Sequence, residues 1–355
     1  MSDYICVRGA LAHTAKALEN GHITVGFVGG SITERADFKR WSDKFLDLLT
    51  EKYPGLLINE ENAAKGATGC ISAIFRAEED ILRYDCDIIF IETSVNDGEP
   101  AFGPCREGLL RKLLKKGRSD LVLVYTYCQG FYEDTLAGQS PASVADWEKL
   151  ARHYGISSAD CGRYAFDKVM AGGMRWEEWL PDGLHPEYAG SRVYAEIVLE
   201  LVEKAIREKS CVAKDIPAPL YPDNWENAVM IDLNDVTRSG PWRLLHERRV
   251  PTAEYILYTN SMRSALEFDF EGSGLFLRTL ITKYGAGFRW RIDEGEWKEK
   301  IDPQPDWLGE CKDWITELLL ERNLPYGKHH IRLEPCFLPG SGGTSFELCM
   351  IGIIR

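Results

Sequence analysis

The sequence has no long apolar run. No stretch approaches the ~20 apolar residues of a membrane-spanning helix, and the opening MSDYICVRGALAHTAKALENG lacks the apolar core of a secretory signal. It is also short of positive charge: 42 Lys and Arg stand against 55 Asp and Glu, a formal net charge of -13. An acidic chain repels polyanions on average, so nucleic acid and an anionic membrane face are not expected partners. The 10 cysteines contain no C-x-x-C pair and read as reduced thiols rather than a disulfide framework. H-E-x-x-H and zinc-type Cys/His spacings are missing, so no metal is expected. Neither G-x-G-x-x-G nor G-x-x-x-x-G-K-[ST] occurs, so no nucleotide cofactor is expected. These absences together predict a cytoplasmic globular protein that works without a cofactor.

What the chain does have is core. Of its 355 residues 45% are hydrophobic, enough for two domains. Residues 23–29 (ITVGFVG), 55–60 (GLLINE), 87–93 (DIIFIET) and 121–127 (LVLVYTY) are nearly continuous apolar runs, as in strands covered on both faces. Helical spacing lies between and after them: Trp41, Phe45, Leu48 and Leu49; then Ile74, Ile81 and Leu82; and a last helix over 188–209 with Val193, Ile197, Leu201 and Val202 on one face. The alternation predicts an α/β fold, a doubly wound parallel sheet. Around residue 215 the composition changes. IPAPLYPDNW, with three prolines, reads as a linker. Beyond it YILYTN, ALEFDF, GLFLRTLI, GFRWRID, HHIRLE and FELCMIGII read as short strands of a β-sandwich, with DWITELLLE readable as strand or helix. The expected domains are 1–212 (α/β), 213–222 (linker) and 223–355 (sandwich).

Three polar or glycine-rich loops follow predicted strands: Gly29-Gly30-Ser31, then Asn62 to Gly69 (NAAKGATG), then Ser94-Val95-Asn96-Asp97-Gly98. Ligands in open α/β sheets bind at such carboxyl ends, where strand order reverses. A fourth segment, Asp182-Gly183-Leu184-His185-Pro186, precedes the last predicted helix. Ser31 with Glu34 fits a Ser-x-x-Glu capping box at a helix start. It also fits a nucleophile, because His185 can take the serine proton and Asp182, three residues earlier, can hold the imidazole. Backbone N–H groups at Ser31 and in the Gly66 loop, with the Asn96 amide, can form an oxyanion hole. Asp97 reads as a turn or cap residue.

The four segments, in this order, resemble the blocks of the SGNH or GDSL-like hydrolases: GGSIT the nucleophile block, NAAKGATG the glycine block, SVND the asparagine block and DGLHP the Asp-x-x-His block. The resemblance covers roughly residues 20 to 210. It implies a flavodoxin-like sheet and a serine esterase with Ser31, Asp182 and His185 as catalytic residues and Ser31, Asn96 and either Gly66 or Ala67 as oxyanion donors. Gly30 departs from the family's usual aspartate before the serine. The family contains carbohydrate deacetylases, lysophospholipases and acyl thioesterases. Some of its carbohydrate esterases carry a β-sandwich domain, which implies a short-acyl, acetyl-type esterase acting on sugars, with a jelly-roll-like sandwich here. The substrate implied is a small-molecule or oligosaccharide ester.

Other residues keep two readings. Arg76 lines the pocket or pairs with Glu79 or Asp80 on its own helix. Trp176 and Trp179, just before the DGLHP block, stack on a sugar or pack their loop against the body. His329 and His330, adjacent in a strand, point to opposite faces and do not share a metal. The sandwich, with Trp290, Trp297, Trp307 and Trp314, binds substrate, walls the site or mediates a homo-oligomer. A protein that only binds carbohydrate is the reading of a different class.

Overall fold

The computed structural model describes residues 2–35, 39–98, 102–207, 215–246, 255–309 and 313–355. The chain divides into two units, Met1–Glu226 and Asn227–Arg355.

The first unit runs β1 (Ile5–Cys6), α1 (Ala12–Glu19), β2 (His22–Gly29), α2 (Trp41–Lys52), β3 (Leu57–Asn62), α3 (Cys70–Asp80), β4 (Ile88–Glu92), α4 (Gly103–Lys116), β5 (Asp120–Tyr125), α5 (Tyr132–Leu136), α6 (Ala142–Tyr154), β6 (Ser157–Asp160), α7 (Cys161–Met170), α8 (Trp176–Trp179) and α9 (Tyr188–Ala205). The sheet order is β1-β6-β5-β4-β2-β3. The strands β2 to β6 are parallel. Among them the first lies between the second and third, the flavodoxin-like order, so strand order reverses between β2 and β4. One strand departs from the all-parallel expectation: β1 pairs antiparallel with β6 at the edge.

The apolar runs become strands because both faces are covered. All five residues of β4 are buried. Phe90 stacks on Phe27 at 5.5 Å, with the Trp41 ring edge-on to both. These rings share a core cluster with α2, α7 and α9. Ile89 and Ile91 are buried on the opposite face of β4. Strand β3 is the exception, an edge strand whose Leu57 is exposed. The last helix starts at Tyr188 as its apolar spacing predicts but ends at Ala205, short of the expected 209, with residues 206–207 in a turn; the expected boundary at 212–213 lies outside the described residues.

The proline-rich stretch lies along α4. Arg111 Nη1 donates to Pro217 O at 2.6 Å. The Glu107 carboxylate accepts from Leu220 N at 2.6 Å and Tyr221 N at 2.7 Å. Trp225 is buried and donates its N–H to Pro104 O at 3.1 Å.

The second unit contains β7 (Val229–Ile231), β8 (Thr237–Ser239), β9 (Arg243–His246), β10 (Tyr255–Thr259), β11 (Ala265–Ile281), β12 (Gly287–Ile292), β13 (Lys298–Lys300), β14 (Trp314–Cys336) and β15 (Phe346–Ile354). Their ladders are all antiparallel. The separate strands expected from ALEFDF, GLFLRTLI and HHIRLE, with DWITELLLE readable as strand or helix, form two long strands. EGSG and NLPYG look like turns, but β11 and β14 bend together there. Gly272 pairs with Gly327 and Gly274 with Arg322, so residues 323–326 stand opposite Ser273 alone. Such an irregularity shifts the side-chain alternation. Inward residues are Leu266, Phe268 and Phe270 before it and Leu275 and Leu277 after it, and all five share one core cluster. Each long strand thus serves both layers of a sandwich. His329 packs on Phe270 and meets Asp293, whereas His330 meets Asp269. The two histidines do have different surroundings.

Candidate active site

The sequence placed Ser31 at a helix start. The structure places it in a turn, and α2 begins only at Trp41. The turn closes through Thr33 N and Glu34 N, which donate to Gly30 O at 3.1 and 2.9 Å. The capping-box reading fails for a clear reason: Glu34 Oε2 instead accepts the Gly66 N–H at 2.8 Å. Glu34 therefore ties the nucleophile-block turn to the glycine-block loop.

Ser31 Oγ lies 2.8 Å from His185 Nε2, across 154 residues of sequence. His185 Nδ1 lies 2.7 Å from Asp182 Oδ2. The other carboxylate oxygen accepts the backbone N–H groups of Leu184 at 2.9 Å and His185 at 2.7 Å. Burial pushes the Asp182 carboxyl up, but these backbone and ring hydrogen bonds outweigh it and hold its pKa below the ordinary aspartate value. Gly183, at φ 79°, makes the turn between acid and base in the left-handed region that favours glycine. Its carbonyl accepts Gln129 N at 2.7 Å, which pins the turn to the chain leaving β5.

Asn96 and the glycine block flank Ser31. A Cβ on Gly30 would come 2.3 Å from Asn96 Oδ1, and one on Gly66 would come 3.9 Å from the Ser31 Cβ. Only glycine fits at position 30 with Asn96 where it is, which accounts for the missing aspartate. The structure separates Gly66 from Ala67. The Gly66 N–H is taken by Glu34. The Ala67 N–H has no partner among the described residues, and Ala67 holds φ 57°, a left-handed value. The Ser31 N–H and the Asn96 side-chain amide likewise have no partner among the described residues. Three donors in the turns and loop that flank Ser31 are thus unpaired among the described residues.

Behind these turns lie buried groups that sequence reading left out. Asp97, read as a turn residue, is buried, and it accepts from Cys70 N at 2.8 Å, Thr93 Oγ1 at 2.6 Å and Trp147 Nε1 at 3.1 Å. Glu92 accepts from Thr33 Oγ1 and Thr126 Oγ1, both at 2.7 Å. The signal for Glu92 was a lone acid in the apolar run DIIFIET.

The remaining candidates lie away from the hydroxyl or are packed. Arg76 does pair with Asp80, but as a buried group rather than a surface one. It also bonds Ser72 Oγ at 3.2 Å and Ala63 O at 3.3 Å. Its guanidinium holds the glycine-block strand to α3. Trp179 is fully buried, with its N–H on Tyr194 OH at 3.0 Å. Trp176 stacks on it at 5.1 Å within a cluster of Tyr127, Tyr132 and Phe166. Of the two, only Trp176 keeps part of its ring in solvent. Among the described residues no three His, Cys, Asp or Glu side chains gather as a metal site, and no helix is long and apolar enough to cross a membrane. The eight described cysteines are free thiols.

No protein-family model and no curated protein matches the chain. Solved structures do. A two-domain esterase (CEX) active on acetylated mannans is 21% identical at a TM-score of 0.85, over 99% of this chain and 97% of that one. Its form co-crystallised with mannopentaose gives 0.84 at the same identity and coverage. An acetylxylan esterase from Geobacillus stearothermophilus is 20% identical at a TM-score of 0.43, over 56% of this chain and 96% of that one. The chain has the fold of the two-domain esterase: an SGNH-type α/β unit followed by an antiparallel β-sandwich.

Proposed function

We propose that this protein is a serine esterase that removes short acyl groups, acetyl foremost, from carbohydrates. One observation carries the reading: Ser31 Oγ, His185 Nε2, His185 Nδ1 and Asp182 Oδ2 form a continuous hydrogen-bonded line of 2.8 and 2.7 Å. The Ser31 and Ala67 N–H groups and the Asn96 amide, in the flanking turns and loop, have no partner among the described residues.

The chemistry follows from that line. Ser31 Oγ attacks the ester carbonyl while its proton moves to His185 Nε2. Asp182 keeps the Nδ1–H tautomer and stabilises the imidazolium. The new C–O bond puts negative charge on the carbonyl oxygen. The N–H groups of Ser31 and Ala67 and the Asn96 amide meet that charge, and such donors stabilise the transition state more than the substrate. Collapse breaks the bond to the sugar oxygen, which takes the proton from His185. Water, deprotonated by His185, then attacks the acyl-enzyme and restores Ser31.

The sugar half of the reading draws support from the likeness to an esterase active on acetylated mannans. The partly exposed Trp176 lies just before the DGLHP segment in sequence. The free thiols and acidic composition suit a cytoplasmic enzyme working on imported acetylated oligosaccharides, which cell fractionation checks.

The test compares p-nitrophenyl acetate with p-nitrophenyl octanoate for the native protein and Ser31→Ala. Hydrolysis of the acetate that disappears with Ser31, followed by acetate release from acetylated manno- or xylo-oligosaccharides, is expected. Preference for octanoate would move the reading to a lysophospholipase or thioesterase, because a tight acetyl pocket rejects longer chains. Sugar binding without turnover, unchanged in Ser31→Ala, would make it a carbohydrate-binding protein.

A further inference from the structure

Glu92 ends β4 directly behind the nucleophile turn and is fully buried. In the sheet it pairs with Gly29 of β2. Its carboxyl accepts hydrogen bonds from Thr33 Oγ1 and Thr126 Oγ1 at 2.7 Å each, and the nearby Gly30 N–H favours its charged form. Thr33 in turn accepts the Trp41 indole N–H at 2.8 Å, and its carbonyl takes Ser42 Oγ at 3.0 Å. One side chain therefore grips the residue before Ser31 and the residue two after it, and joins them to β5 and to α2. A buried carboxylate is costly unless its lone pairs are filled. A cost borne at this position calls for a role.

We propose that Glu92 is the positioning residue of the nucleophile turn, an inference that rests on the esterase reading. Its carboxylate fixes the backbone on both sides of Ser31 so that Oγ meets His185 Nε2. The ionised group accepts from both threonines as charge-assisted bonds. A protonated carboxyl instead donates its O–H to one of the threonine hydroxyls, which must turn to receive it, and the bonds that remain are no longer charge-assisted. Protonation therefore loosens the grip on the turn, and a displaced nucleophile reacts slowly.

The proton is available near neutrality. Burial pushes the Glu92 pKa up to about 7, against the pull of its hydrogen bonds, and the charge of Asp97 adds to the rise. The other titratable groups that face it are the Cys161 thiol and the Tyr194 phenol. Burial raises both well above their ordinary values, so they stay neutral there.

The experiment follows kcat and KM for p-nitrophenyl acetate across pH in the native protein and Glu92→Gln. The native acid limb should include the loss of the Glu92 proton through about pH 7. In Glu92→Gln the limb should be shallower by that one proton, with kcat about ten- to a hundredfold lower and KM unchanged. A Glu92→Gln enzyme with native kcat and the native limb overturns the inference. So does one that only melts earlier while its pH profile keeps its shape. A second readout needs no variant of Glu92. Trp41 fluorescence, taken as the difference between the native protein and Trp41→Phe, should titrate between about pH 6 and 8, with its midpoint at about 7. A flat difference overturns the inference even if Glu92→Gln fails to fold. Failure of the esterase reading looks different: the native protein then shows no Ser31-dependent hydrolysis at any pH.

Discussion

The two units bury charge differently. In the first, Glu92, Asp97, Arg106 and Glu107 are all within 1% of complete burial. In the second, the buried ionisable side chains among the described residues are Arg278 and Glu347, and Arg278 has Glu317 at 2.6 Å. The rest of that interior is apolar or hydroxyl-bearing. Desolvating a charge is unfavourable unless it is paired and hydrogen-bonded. The sandwich mostly avoids that cost. The α/β unit accepts it at Glu92 and Asp97, at the carboxyl end of β4, which is where the proposed chemistry lies. Where a fold buries carboxylates against its own stability, the site is the first place to look.

Four outcomes would break or sharpen this contrast. The largest effect is expected at Ser31. Ser31→Ala should lower kcat on p-nitrophenyl acetate by about 10⁴- to 10⁶-fold with the melting temperature little changed. Next is Gly30→Ala, whose methyl group would collide with Asn96 Oδ1. A displaced oxyanion donor should cost about 10²- to 10³-fold in kcat.

The third outcome concerns the sandwich core. Leu277→Ala there should leave a cavity worth about 3 kcal/mol, read by urea unfolding. A loss far smaller would mean the core collapses around it. The smallest effect is the pH dependence of stability. Glu92 has a raised pKa, so the stability it gains from holding its proton is complete below about 4.5 and is lost as pH rises through about 7. The unfolding free energy of the native protein minus that of Glu92→Gln should fall by roughly 2–4 kcal/mol over that window. Asp182 runs the other way. Its pKa is lowered from 3.8, so its contribution is present above that value and fades as pH falls below it. A flat difference curve for Glu92 would show that its burial costs less than the contrast requires.

Much of this was legible in the residues. Strands β2, β4 and β5 announce themselves as apolar runs because both of their faces are covered. Asn96, Asp182 and His185 stand on the expected loops, whereas Ser31 stands in a turn rather than at a helix start. Strand β6, whose residues are Ser-Ser-Ala-Asp, carries no apolar signal and is a strand only because β5 and β1 pair with it. The bend in β11 and β14 hid behind Gly and Pro, which punctuate turns and bulges alike. The choice between Gly66 and Ala67 could not be made from spacing, because it turns on Glu34 occupying one of the two N–H groups. Trp176 and Trp179 looked alike in sequence, and packing against Tyr127 and Tyr194 separates them.

The 154 residues between Ser31 and His185 also set a timetable. A chain emerging from the ribosome completes its nucleophile turn and the Asn96 turn early, while the acid and base arrive only with the loop before α9. Domains generally fold as units as they are made. A growing chain therefore carries Ser31 without His185 while 154 residues are added. On the proposed mechanism, truncation anywhere before residue 182 leaves a product that cannot be acylated, and hydrolysis begins only once the α/β unit is nearly complete.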